Sequence, residues 1–141
     1  MGMFIFKILV FLYNVSGGRI GGKLGKLPIL LLTTTGRKSG KQRTLPLVYI
    51  MDDSAYVITA SAGGADKNPG WFFNIRSNPQ ATIQVKDKHI KVTAEIAGQE
   101  KKSELWARLL EVAPNFAGYQ KRTSREIPML ILHPVEERLS A

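Results

Sequence analysis

Residues 28–51 read PILLLTTTGRKSGKQRTLPLVYIM, and their pattern sets the fold. Two apolar runs, Pro28–Leu32 and Leu45–Met51, flank a polar excursion, Thr33–Arg43, with two glycines, four hydroxyls and four cations. Apolar runs of strand length around a glycine-bearing turn predict a β-hairpin with strands Pro28–Thr35 and Thr44–Met51. Glycines let backbone N–H groups converge, hydroxyls donate, and Arg and Lys add charge, so the same turn predicts a site for an anion.

The charge distribution agrees. Residues 1–51 hold eight of the 20 Lys and Arg and none of the 11 acids, so eight of the nine net positive charges lie in the first third. The partner of that region is predicted to be negative. At 141 residues the chain is long enough for one domain with a real core. Its 44% hydrophobic and 22% charged content excludes wholesale disorder. The absence of cysteine excludes disulfides, thiolate metal sites and thiol nucleophiles, and fits a reducing cytoplasm.

Residues 1–15 are nearly all apolar, broken by Lys7 and Asn14. The run is shorter than the roughly 20 residues a membrane span needs. It lacks the basic lead and small-residue cleavage site of a signal peptide, and Phe6 stands where a myristoylation motif needs Ser or Thr. Two expectations remain: a helix packed on the domain, or one lying in a membrane surface with Lys7, Arg19, Lys23 and Lys26 at the headgroups. Residues 17–26, with five glycines, read as a basic connector. Residues 1–26 are thus expected to form a helix and linker, and 27–141 the main domain.

Further along, Asp52-Asp53-Ser54 is a tight turn into a third strand, Ala55–Ser61, completing an expected antiparallel meander. Residues 62–70 form a loop, and Trp71–Ser77 a short helix stopped by Asn78-Pro79. Ala81–Lys86 and His89–Ile96 alternate as a second hairpin around Asp87-Lys88. Residues 100–112 form a helix with Leu105, Trp106, Leu109 and Leu110 on one face, which Ala113 just beyond it extends. A short helical turn over 115–123 and a last strand, Ile127–Leu132, follow. Six mostly antiparallel strands with two or three helices predict an α+β fold built on a small closed or half-closed barrel, without the βαβ alternation or GxGxxG turn of a dinucleotide-binding sheet.

No catalytic triad or metal site can be assembled from His89 and His133, which read as exposed structural residues, and the acids are scattered. Difficult chemistry is therefore assigned to a bound cofactor. Beside the basic turn, Ala60-Ser61-Ala62-Gly63-Gly64 ends a strand in small residues, where a flat ring can approach backbone N–H groups. Lys67 to Asn74 adds Trp71 as a ring wall or core residue and Asn74 as a polar anchor.

Three segments, TTTGRKSGKQRTLPL, ASAGGADKNPGWFFNIRSNP and GYQKRTSREIPMLIL, together resemble the deazaflavin-dependent nitroreductase family, split β-barrel oxidoreductases that use coenzyme F420. The resemblance runs from about Leu24 to Pro134. It implies that Gly36, Arg37, Lys38, Ser39, Gly40 and Arg43 hold the cofactor's phosphate and oligoglutamate tail. Leu45 and Pro46 would line the deazaflavin ring; Ala60, Ser61 and Ala62 would meet its pyrimidine edge, with Lys67, Trp71 and Asn74 completing the pocket. The implied reaction is hydride transfer to a conjugated, quinone-like or nitro acceptor. Phe116, Tyr119 and Arg122 would line the acceptor's side, Tyr119 as proton donor or substrate contact, and Ser61 would join Tyr119 as the second catalytic residue. Phe116, Arg122 and Ala62 depart from the nitroimidazole-reducing members, which leaves quinone-like acceptors open. Two alternatives compete: a split barrel using FMN, which would not call for so much charge beyond the phosphate turn, and a basic barrel binding nucleic acid. The latter should interleave aromatics with its cations, whereas four of the five aromatics in residues 1–51 lie in the N-terminal segment. No nucleic-acid partner is therefore expected. The expected location is cytoplasmic, with peripheral membrane contact through residues 1–26.

Overall fold

The computed structural model of the protein describes residues 2–19, 23–24 and 27–135. The hairpin forms as its pattern requires: β2 (Leu27–Thr35) pairs antiparallel with β3 (Gln42–Val48), from Ile29↔Val48 to Thr35↔Gln42. A two-residue β1 (Lys23–Leu24) pairs with the start of β2. The expected single strand Thr44–Met51 is instead broken at Tyr49, whose N–H donates to Pro28 O at 3.1 Å. The chain resumes as β4 (Ile50–Asp52), which pairs with β5 (Ala55–Thr59). The expected three-strand meander is corrected accordingly, because β3 and β5 are not ladder partners.

The topology supplies the reason. With β6 (Gln80–Val85), β7 (Lys88–Ile96) and β8 (Met129–Pro134), the strands run β3-β2-β6-β7-β8-β5-β4. The two end strands are consecutive in the chain, separated by Tyr49 alone. One straight strand cannot pair with both ends of a twisted sheet, so the break at Tyr49 lets the sheet curl into a barrel. The other expected strands are present with shifted ends. The β6–β7 turn falls at Lys86-Asp87, and β8 begins after Pro128, which has no N–H to give a ladder.

Two cores follow from strand alternation. Inside the barrel, Leu30, Leu32, Ile58, Ile83, Val92, Leu130 and Leu132 pack with Trp71, Phe72 and Ile75 of α2 (Gly70–Ser77). On the outer face, Leu27, Val57, Met129 and Ile131 pack with Leu105, Leu109 and Ala113, at or just beyond the end of α3 (Gln99–Val112), and with Phe116 of α4 (Phe116–Lys121). Removing one such side chain, for example Leu32→Ala, costs about 2–5 kcal/mol because the barrel cannot collapse around the cavity. α3 is tied to the end of β4 by ion pairs two turns apart: Lys101 and Arg108 both meet Asp52, at 3.0 Å each.

The N-terminal helix, α1 (Gly2–Ser16), packs on the sheet through Tyr13, which is fully buried. Its hydroxyl lies 3.0 Å from Ile29 O and 3.2 Å from Gln84 O, and accepts the Lys86 N–H at 2.6 Å. Gly18, at φ +84°, passes so close to Lys86 that a Cβ would sit 2.7 Å from its Cα. The packed reading of this segment holds for Tyr13. Much of the connector, residues 20–22 and 25–26, lies outside the described residues.

Candidate functional site

The basic turn is a closed backbone loop. Gly36 N–H donates to Lys41 O and Gly40 N–H to Gly36 O, both at 2.8 Å, while Ser39 Oγ accepts the Lys41 N–H at 3.2 Å. Gly40 takes φ +71°, which favours glycine, and a Cβ on Gly36 would lie 2.8 Å from Ser39 Oγ and 3.1 Å from Lys41 O, pressing on the turn's own bonds. Lys38, Lys41 and Arg43 are exposed, and none makes an ion pair among the described residues.

Arg37 is different. Its backbone N–H and its Nη1 both donate to Asn74 Oδ1, at 3.2 and 2.8 Å, and Nη1 also lies 3.4 Å from Gly70 O. The guanidinium sits 5.3 Å from the Phe73 ring centre, and Arg76 covers the same ring at 5.0 Å. Arg37 therefore docks the turn on α2, and Asn74 spends its carboxamide oxygen on that task. Trp71 is 7% exposed and packs within the barrel core.

At the turn end of the hairpin, Thr34 and Arg43 share a register position, and Leu45 lies on the same face, packed against the barrel core. The Thr34 hydroxyl is buried and is the only such side-chain atom without a partner among the described residues. Pro46 projects to the opposite face, in register with Leu31. The two side chains that the resemblance assigns to the ring, Leu45 and Pro46, thus lie on opposite faces of β3.

Beyond β5 the backbone does something unusual. Ser61 is right-handed at φ −75°, ψ −37°, and Ala62, Gly63 and Gly64 follow at φ +46°, +65° and +84°. A right-handed residue before a left-handed one turns successive N–H groups to one side, a nest that suits an anionic oxygen. The N–H groups of Ser61, Ala62 and Gly63 have no acceptor among the described residues, whereas those of Ala60, Gly64 and Ala65 are bonded. Left-handed Ala62 costs roughly 1–2 kcal/mol, so the surrounding contacts must impose it. The loop then runs past exposed Lys67 into Pro69 and α2. The loop that follows the nest and the Arg37 contacts of the basic turn thus both reach α2.

The segment after α3 closes over this loop. A Cβ on Gly64 would lie 2.7 Å from Tyr119 O and 3.0 Å from Arg122 Cβ, so α4 and the nest are in contact. Arg122 Nη1 reaches Gly63 O at 3.4 Å, and its guanidinium lies 5.7 Å from the Tyr119 ring centre. The Tyr119 hydroxyl accepts from Asn115 Nδ2 at 3.4 Å. Phe116 is buried in the outer core with its ring edge-on to Tyr119, 5.1 Å between centres, so it supports Tyr119 rather than facing solvent. His89 and His133 are exposed, as expected, and His133 pairs with Glu95 at 2.8 Å.

Residues 5–134 match the family model described as F420H2-dependent quinone reductase. The chain belongs to the F420H2-dependent quinone reductase family. An F420H2-dependent quinone reductase of Mycobacterium tuberculosis is 38% identical over 138 residues, covering 94% of this chain and 91% of that one. The solved structure of an F420-H2 dependent reductase is 40% identical, superposes with a TM-score of 0.69, and covers 75% of this chain and 94% of its own. Another solved structure, described as a domain-swapped dimer, is 40% identical with a TM-score of 0.70, covering 78% of this chain and 82% of its own.

Sequence reasoning missed Arg125 at this site. It lay within the quoted segment GYQKRTSREIPMLIL, but nothing local marked it apart from Lys121 and Arg122.

Proposed function

We propose that this protein binds coenzyme F420 between the Gly36–Arg43 turn and the Ser61–Gly63 nest, and passes its hydride to a quinone-like acceptor held near Tyr119 and Arg122. The observation that carries this reading is the nest: three N–H groups without acceptors, on a strand end that also packs against α4. The residues present fit the cofactor. The orphaned Thr34 hydroxyl, the exposed cations of the turn and the nest offer polar groups to a ligand with a flat ring and a long anionic tail. The reduced deazaflavin supplies the hydride, a two-electron carrier's part.

The chain's own residues bind, orient and compensate charge. Lys38, Lys41 and Arg43 face the phosphate and tail; Ser39 and the Gly36 and Gly40 bonds hold the turn in shape. Arg37, with Asn74, fixes the turn on α2 and so sets the distance between tail site and ring site. The nest donors at Ser61, Ala62 and Gly63 meet the ring's pyrimidine edge, where preorganised donors stabilise negative charge without reorganising. The small side chains there would leave room for a ring to approach the backbone. On the acceptor side the Tyr119 hydroxyl would supply the proton, and the Arg122 guanidinium covers the Tyr119 ring.

Titration of the purified protein with coenzyme F420 and with FMN, followed by quinone reduction with the reduced deazaflavin, tests the reading. Tight FMN binding with none to the deazaflavin would overturn it.

The acceptor's class fits a location on a lipid surface. Among the described residues no helix is long and apolar enough to span a membrane. Ile8, Phe11 and Val15 nevertheless form an outward stripe on α1, 43%, 62% and 65% exposed, opposite the buried Tyr13. This stripe supports peripheral docking on a bilayer, where a lipophilic quinone resides.

A further inference from the structure

The guanidinium of Arg125 reaches across more than fifty residues of sequence to four acceptors of one loop. Its Nε donates to Ala65 O at 2.8 Å, its Nη1 to Asn68 Oδ1 at 2.6 Å, and its Nη2 to Ala60 O at 3.2 Å and Ser61 O at 3.0 Å. The half-buried fork thus holds both ends of the loop that contains the nest. Arg125 is itself held: Gln120 Nε2 donates to its carbonyl at 2.7 Å, and the same carboxamide accepts the Ile127 N–H at 3.1 Å.

Two of these contacts decide where the nest points. A trans peptide sets its C=O and N–H on opposite sides of one plane. The peptide whose oxygen is Ala60 O carries the Ser61 N–H, and the peptide whose oxygen is Ser61 O carries the Ala62 N–H. When one guanidinium nitrogen draws both oxygens toward itself, both N–H groups must face away from it. The donors without acceptors are these two and Gly63. Arg125 also carries a full charge behind them, which polarises the bonded peptides and strengthens their N–H groups as donors. Lysine cannot take its place, because a single ammonium lacks the planar fork that spans Ala60, Ala65 and Asn68 at once.

We propose that Arg125 is the positioning residue of the reductase's ring site: it fixes Ala60 and Ser61 so that the Ser61 and Ala62 N–H groups are aimed at the anionic edge of the bound deazaflavin. The inference rests on the reading that the nest meets that edge. Arg125 does not touch the ligand; it acts through the peptides it orients. It also accounts for left-handed Ala62, which the loop adopts while tied at residues 60, 61, 65 and 68.

Amide NMR of the full chain, with and without coenzyme F420, separates the two claims. In the native protein the Ser61, Ala62 and Gly63 amides should move downfield on binding, together with those of Gly36 and Gly40. In Arg125→Lys and Arg125→Met the turn amides should still respond, while the three nest amides lose most of their shift and affinity falls roughly 10- to 100-fold. Asn68→Ala, which removes one prong and leaves the Ala60 and Ser61 contacts, should retain the nest response and lose less than about fivefold; it serves if an Arg125 variant fails to fold. Nest amides that respond alike in native and Arg125 variants would overturn the role of Arg125 alone. Nest amides silent in the native protein would overturn the ring-site reading and this inference with it.

Discussion

Asn74 Oδ1 accepts two hydrogen bonds from Arg37, one from its backbone and one from its guanidinium, and thereby joins a hairpin turn to a helix across 37 positions. Arg37, though exposed, is thus tied to α2, while Lys38, Lys41 and Arg43, which make no ion pair among the described residues, are available to a ligand. Arg37→Ala should lower stability by about 1–3 kcal/mol, because it leaves a mostly buried carboxamide oxygen with one donor fewer. Lys38→Ala should leave the urea midpoint unchanged and weaken coenzyme F420 by about 1 kcal/mol, with a reduced salt dependence. Urea melts and fluorescence titrations at two ionic strengths distinguish the two outcomes. Equal stability loss in both variants would show that the division of labour is wrong.

The contact between the nest and α4 makes two adjacent glycines unequal. Gly64→Ala places a methyl 2.7 Å from Tyr119 O in addition to forcing φ +84°, whereas Gly63→Ala opens onto free space and meets only the strain of φ +65°. Gly63→Ala should cost roughly 1–2 kcal/mol. Gly64→Ala should cost more and should also raise the KM for the quinone, because α4 must shift away with Tyr119 and Arg122. Thermal melts and steady-state kinetics on both variants check the order. A milder effect at Gly64 would mean that α4 yields freely.

Much of this architecture was legible beforehand because it depends on local patterns. The hairpin around Gly36–Lys41, the alternation in Ile90, Val92 and Ala94, and the apolar face of α3 are short-range signals. The break at Tyr49 was not, since only the curl of the whole sheet requires β3 and β4 to part there. The site divided in the same way. The turn announced itself by charge and glycine, and the resemblance placed Ser61 and Ala62. That Trp71 and Phe116 are drawn into cores depends on what packs over them. Arg125, among three cations in five residues, could be told from Lys121 and Arg122 only by acceptors some sixty positions earlier.

The outward stripe of α1 can be tested without removing the helix, which would also remove the Tyr13 anchor. Phe11→Asp combined with Val15→Asp should abolish co-sedimentation with anionic liposomes while leaving thermal stability and coenzyme F420 affinity unchanged, since both side chains are exposed. Tyr13→Phe should do the reverse, costing about 1–3 kcal/mol through the partners its hydroxyl leaves behind. Equal pelleting of the native and doubly substituted proteins would remove membrane docking through this face.

Acid should act on the fold at a place remote from the site. Lys101, by hydrogen bond and charge, and Arg108 beside it hold the Asp52 carboxyl below its ordinary range. A group whose folded pKa is depressed contributes stability above its unfolded value, about 3.9, and loses that contribution as pH falls through the lower folded value. Asp52→Asn should therefore lower the urea midpoint by a constant amount from pH 6 to 8, and the gap to the native protein should narrow as pH drops below about 4. The coenzyme affinity at pH 7 should not change, because Asp52 joins α3 to the β4–β5 turn and lies outside the nest and the basic turn. A gap that persists undiminished through the acid range would assign the loss to packing at the turn rather than to the ion pairs.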